Sequence, residues 1–154
     1  MSNTHQQLAR NAKPTITRDD HERLFDMGRL REELEHDDDS RSKLARTAMY
    51  WLTRLANHRA NATNASREII WDDIFDTRLL QEDLESSDAR RRHLAHRVLM
   101  SVSMVLAIRE VMGVSEPTPV DLTVRALTLC VLAREKANEL ARTRGEPELA
   151  YTLN

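Results

Sequence analysis

Two sets of carboxylates at matching spacing are the residues of this chain best suited to chemistry. Glu32-x-x-Glu35-x-x-Asp38 and Glu82-x-x-Glu85-x-x-Asp88 each place acids three apart, and on a helix such residues fall along one side. That geometry suits a hard divalent ion, which takes carboxylate oxygens and water. The same acids have a plainer use. Asp38 and Asp88 stand where they would cap a following helix, and Glu35/Arg41 and Glu85/Arg91 would form ion pairs at the turn. The plainer use is preferred because perturbed acidic clusters arise in structural ion-pair networks as well as in active sites. No metal ligand and no cofactor is therefore assigned.

The spacing at Glu32, Glu35, Glu85 and Asp88 is similar to that of the all-helical nucleoside triphosphate pyrophosphohydrolases, which hold magnesium with E-x-x-E and E-x-x-D pairs. The likeness covers those four residues. Here the pairs stand a whole repeat apart and recur in both units, unlike the close pairing usual in that family. What it implies, a carboxylate-metal phosphohydrolase, ranks third among the readings of function. Glu33-x-x-His36 resembles half of the di-iron helix motif. The matching position reads Asp83-x-x-Ser86, so His36 is expected to be a solvated turn residue.

Arg90-Arg91-Arg92-His93, with Arg97 one turn on, is the densest basic cluster. It suits phosphate contacts, whose affinity would fall steeply with salt. Against this, no aromatic for base stacking lies nearby in sequence and no helix-turn-helix spacing is evident. Intramolecular pairing with the acidic helix that precedes it is preferred, and a nucleic-acid-associated accessory role is the alternative. The chain contains no G-x-S-x-G, Walker loop, H-E-x-x-H or Cys/His cluster, so no catalytic residue is assigned and the expected function is non-enzymatic. Cys130, inside the apolar run Leu127 to Ala133, reads as a small core residue.

The elements that would position these groups follow from an ungapped internal duplication. Residues 21–60 and 71–110 share eleven identities in forty positions, among them Phe25/Phe75, Asp26/Asp76, Asp38/Asp88, Arg41/Arg91 and Arg59/Arg109. A repeat of this length is normally one supersecondary unit unable to bury its apolar face alone. Charge divides in step: residues 17–38 hold nine acids and four bases, whereas residues 39–60 hold one and five. The second unit repeats the bias, with eight acids and two bases over 66–88 and one and five over 89–112. An acidic helix followed by a basic one favours antiparallel pairing within each unit.

Leu24, Met27, Leu30 and Leu34 fit a first helix over about 18–36, capped by Thr17. A second helix runs to near His58, with a small polar connection over Asn61 to Ser66. A third carries Ile70 to Leu84, and a fourth, over about 88–112, is apolar nearly all round and should lie at the centre. Gly113 ends it, and Thr118-Pro119-Val120-Asp121 starts a closing helix that stops at Gly145. The expected fold is all-α, a five-helix bundle of two duplicated antiparallel hairpins, about 17–60 and 66–113, plus a closing helix at 118–144. A mobile arm (1–16) precedes this single domain (17–145), and the tail (146–154) offers Leu149, Tyr151 and Leu153 for docking.

With 154 residues, 40% hydrophobic and 31% charged, the chain belongs to the globular class. The longest apolar stretch, Val98 to Ile108, is too short for a membrane span. A net charge of −2 gives no general attraction to nucleic acid or anionic lipid. One cysteine and no basic-then-apolar leader lead to the expectation of a cytoplasmic setting. Because Val98 to Met112 and Val120 to Ala133 are apolar nearly all round, the expected function is an interaction or assembly protein. It would act through a protein partner or its own homodimer.

Overall fold

The computed structural model describes residues 22–63 and 74–150. The arm at 1–16, the cap at Thr17, the connection beyond residue 63 and docking by Tyr151 and Leu153 lie outside the described residues. In chain order the elements are β1 (Leu24–Asp26), α1 (Met27–Leu34), α2 (Asp39–Thr63), β2 (Ile74–Asp76), α3 (Thr77–Leu84), α4 (Ala89–Val111) and α5 (Pro119–Arg144). The protein is mostly helical, with five helices among the described residues.

The two strands correct the expectation that the first helix runs through Leu24 to Asp26 and the third through Ile74 and Phe75. Asp26 sits in extended backbone at φ −75°, ψ 110°, and its carboxylate accepts from Gly28 N at 2.8 Å. Asp76 does the same for Arg78 N, at φ −94° and 2.8 Å. An aspartate that caps from extended backbone ends any helix arriving from its N-terminal side. The extended residues before each cap pair antiparallel, with Phe25 opposite Phe75. Their buried rings meet edge to face, centroids 6.4 Å apart at 82°. Thr77 adds a backbone bond of 2.9 Å and a hydroxyl bond of 3.0 Å to the Arg23 carbonyl.

Eight-residue helices such as α1 and α3 are too short to persist alone, so tertiary packing must hold them. Leu30 and Leu80 are fully buried, each contributing about 1.5–3 kcal/mol relative to exposure. α1 packs on α2, α3 on α4, and α2 runs along α4. Helix α4 also packs against α5, which puts it at the centre. Its Leu94, Ala95, Val98, Leu99, Val102 and Val105 are all buried.

Helix α2 continues to Thr63, past His58 where it was expected to end. The later boundaries fall where the sequence places them. Gly113 at φ +69° follows α4, and Val114 N donates back to the Arg109 carbonyl at 2.9 Å. Thr118 and Asp121 form a reciprocal capping box at the start of α5, with Pro119 in its first turn. Gly145, at φ +68°, closes it. Among the described residues no helix is long and apolar enough to cross a membrane.

Candidate functional site

The six acids of the repeated kernel do not converge on one site, and four of them bond to other parts of the chain. Asp38 Oδ1 accepts from the backbone N–H of Ser40 (2.9 Å) and Arg41 (3.4 Å) at the start of α2. Asp88 Oδ1 accepts from Arg90 N (3.0 Å) and Arg91 N (3.4 Å) at the start of α4. The other Asp88 oxygen meets His58 Nε2 at 2.9 Å. That hydrogen bond, followed by the two backbone donors, holds the Asp88 carboxyl below its ordinary value. Glu32 accepts from Arg109 at 3.1 Å, and Glu85 from Gln81 at 3.4 Å. Glu35 and Glu82 are exposed. Among the described residues no three His, Cys, Asp or Glu side chains converge as a metal-binding group.

The partners of Arg41 and Arg91 require a correction. They are not Glu35 and Glu85 but Glu33 and Asp83, one turn from the core leucines Leu30 and Leu80. Glu33 is 1% exposed and accepts from Arg41 Nε at 2.8 Å and Arg41 Nη2 at 2.6 Å. Arg109, on α4, adds a third bond to it at 2.9 Å. Asp83 is 0% exposed and is held by Arg91 on α4 and by Arg59 on α2, whose Nε lies at 2.7 Å. Arg41 follows Glu33 by eight residues as Arg91 follows Asp83, and Arg109 stands to Arg59 at the same fifty-residue offset as the acids.

The Arg41 hydrogen bonds outweigh burial and, with Arg109, hold the Glu33 carboxyl below its ordinary value. An ionised carboxylate enclosed by two guanidiniums has its acceptor sites filled, so it fastens elements together and has no proton to give at neutral pH. His36 is exposed, as expected; its Nδ1 accepts from Asp38 N at 2.9 Å and its Nε2 lies 2.9 Å from Arg41.

The basic cluster is divided among several tasks. Arg91 is committed to Asp83, and Arg92 donates to the Ser86 carbonyl at 2.6 Å. His93 sets its ring edge-on to Trp51 at 6.1 Å, and the Arg97 guanidinium lies 5.3 Å from the centre of the same indole. Arg90 is exposed at the first turn. Arg92, His93 and Arg97 border an open cleft that α5 completes with Arg134, Glu135 and Asn138. Sequence proximity could not reveal those last three.

Compared with known protein families, characterised proteins and solved structures, the chain matches none. The surface with the most pronounced character is the outer side of α5. Val120, Val124, Leu127 and Val131 form the buried stripe of this helix. Leu122, Ala126, Leu129 and Ala133 are exposed, with Leu122 at 52% and Leu129 at 61%. α5 meets α4, α3 and β1, so of the apolar run Val120 to Ala133 one side is buried and the other is left exposed. Cys130 is likewise exposed and free, not a core residue.

Met104, Val111, Met112 and Val114, on the second half of α4 and in the loop after it, are also exposed. Between α4 and α5 lies a groove of about 200 Å³, walled by Leu106, Ala107, Pro117, Val124 and Leu129. A hydrogen bond of 2.6 Å joins Ser103 to Thr128 among its lining residues, and the Arg125–Glu110 ion pair stands at its rim.

Proposed function

We propose that this chain is a non-enzymatic helical interaction domain that self-associates through the outer face of α5. Its frame is a duplicated hairpin whose two units interlock about a local twofold axis. The duplication is supported by three features: element boundaries that recur at an offset of fifty, Phe25 facing Phe75 at the centre of the ribbon, and reciprocal arginine exchange. Each buried acid takes one arginine from its own unit and one from the other. These interactions fix the frame and leave recognition to the surface that the frame carries.

The observation that carries the reading is the row of exposed aliphatic side chains on α5, among which Leu129 also borders the groove walled by Leu106 and Ala107 of α4. Contiguous exposed apolar surface on a small domain marks interaction sites. Light scattering after size exclusion tests it. The intact chain is expected at twice its mass of 17.8 kDa, and Leu129→Asp at the single-chain mass with unchanged helix content, because Leu129 is 61% exposed. An intact chain that stays single across micromolar concentrations would overturn self-association.

A further inference from the structure

We infer that α5 pairs antiparallel with the α5 of a second copy, Leu122 and Leu129 of one chain seating on Ala133 and Ala126 of the other. The inference rests on the self-association reading and names its contact.

An α-helix advances about 100° per residue. The buried stripe, Val120-Val124-Leu127-Val131, and the exposed stripe, Leu122-Ala126-Leu129-Ala133, have identical spacing and differ by two residues. They therefore lie on opposite sides of the helix. A helix with two apolar faces is suited to packing between two others. α4 supplies the inner neighbour. The outer neighbour must be a helix whose own side chains fit a large-small-large-small row.

The outer row of α5 meets that requirement for itself. In a parallel pair, leucine would face leucine and alanine would face alanine, giving ridge on ridge and gap on gap. Reversing one copy about a twofold axis between Leu127 and Thr128 sets Leu122 on the partner's Ala133 and Ala126 on the partner's Leu129. Every large side chain then meets a small one, and alanine allows the helices to approach to about 8–10 Å. Such a contact is isologous and closes as a dimer.

Electrostatics agrees with a second copy as the occupant. Arg125 is neutralised by Glu110 within its own chain, and Lys136 lies 3.6 Å from Glu139. The bordering charges thus do not set two identical faces against each other, and antiparallel helix dipoles attract.

The test pairs Leu129→Asp with Ala126→Lys, both at exposed positions. Each variant alone is expected to run as a single chain with normal circular dichroism. Mixed in equal amounts, the two are expected to form a heterodimer at least about tenfold tighter than either homodimer, because position 129 of one chain meets position 126 of the other. A mixture that stays monomeric while the intact protein dimerises overturns the antiparallel register and leaves self-association standing. A monomeric intact protein overturns both, as would capture of a different helical partner by the intact monomer. If either charged variant loses its helical signal, the exchange Leu129→Ala with Ala126→Leu decides. The double exchange keeps the dimer and Leu129→Ala alone weakens it; equal weakening by both overturns the register.

Discussion

Replacing Glu33 by Gln keeps the side chain's size and removes only its charge. Glu33 accepts three hydrogen bonds from two arginines, at 2.6, 2.8 and 2.9 Å, and is fully enclosed. The substitution leaves the Arg41 and Arg109 guanidiniums buried beside an amide that cannot balance them. Arg109 keeps Glu32 at 3.1 Å, but Glu32 is 67% exposed, and such a pair offsets only about 0.2–1 kcal/mol. Breaking a buried pair by removing one partner costs about 3–5 kcal/mol. For a chain of this size that is a fall in Tm of about 6–20 °C. Urea unfolding followed by circular dichroism measures it, with an unchanged m-value to show that the end states are the same. Glu35→Gln, at the acid that spacing alone pairs with Arg41, should change stability by no more than about 0.5 kcal/mol. A loss under about 1 kcal/mol for Glu33→Gln, or equal losses for the two variants, would refute the buried ion-pair account.

Acid should act on the same network. Glu33 and Asp88 have carboxyls held below their ordinary values of 4.5 and 3.8, and at Asp121 burial pushes the carboxyl up but the Arg29 and Thr118 bonds together bring it below its ordinary value. A depressed carboxyl contributes stability that is complete above the unfolded value and is lost as pH falls through the folded one. Thermal melts are therefore expected to be flat from neutral pH to about 5 and to drop below about 4, less steeply in Glu33→Gln; a profile identical in both proteins would remove Glu33 from the explanation. Gly113→Ala is expected to destabilise by about 1 kcal/mol, since φ is +69° there and open space around the position leaves backbone strain as the sole cause. A neutral result in a urea titration would contradict the left-handed turn.

Much of the frame was legible because caps are written in local residues. Asp38, Asp88, Gly113, Thr118 and Gly145 each stop or start a helix through bonds to neighbours within a few positions. The strands were hidden because three residues are too few to display alternation, and Leu24, Met27, Leu30 and Leu34 also fit a helical period. The buried acids were obscured by their difference: Glu35 and Glu85 are identical across the repeat, whereas Glu33 and Asp83 are not. Their position three residues after Leu30 and Leu80, on the core side, was the available signal. Arg59 and Arg109 were another, the one identity after Ala45/Ala95 in an otherwise divergent stretch. That α5 is apolar on two sides was legible in Val120 to Ala133, but which side is buried was not, because periodicity measures how apolar a helix is, not where its neighbours lie.

The arginine exchange also bears on how the chain is made. Synthesis delivers residues in order, at about 5–20 per second, and the contacts that close this molecule run far along that order. Phe25 waits for Phe75, Arg59 for Asp83, and Glu33 for Arg109, 76 residues downstream. A nascent chain that has passed Thr63 already holds Glu33 and Arg41, yet its ribbon and its third hydrogen bond to Glu33 have no counterpart. Ribosome-bound fragments ending before Arg109 should thus expose the apolar sides of α1 and α2 to chaperones, and the whole structure should gain protection from proteases in one late step. The interlock that secures the finished protein is the same feature that postpones its folding.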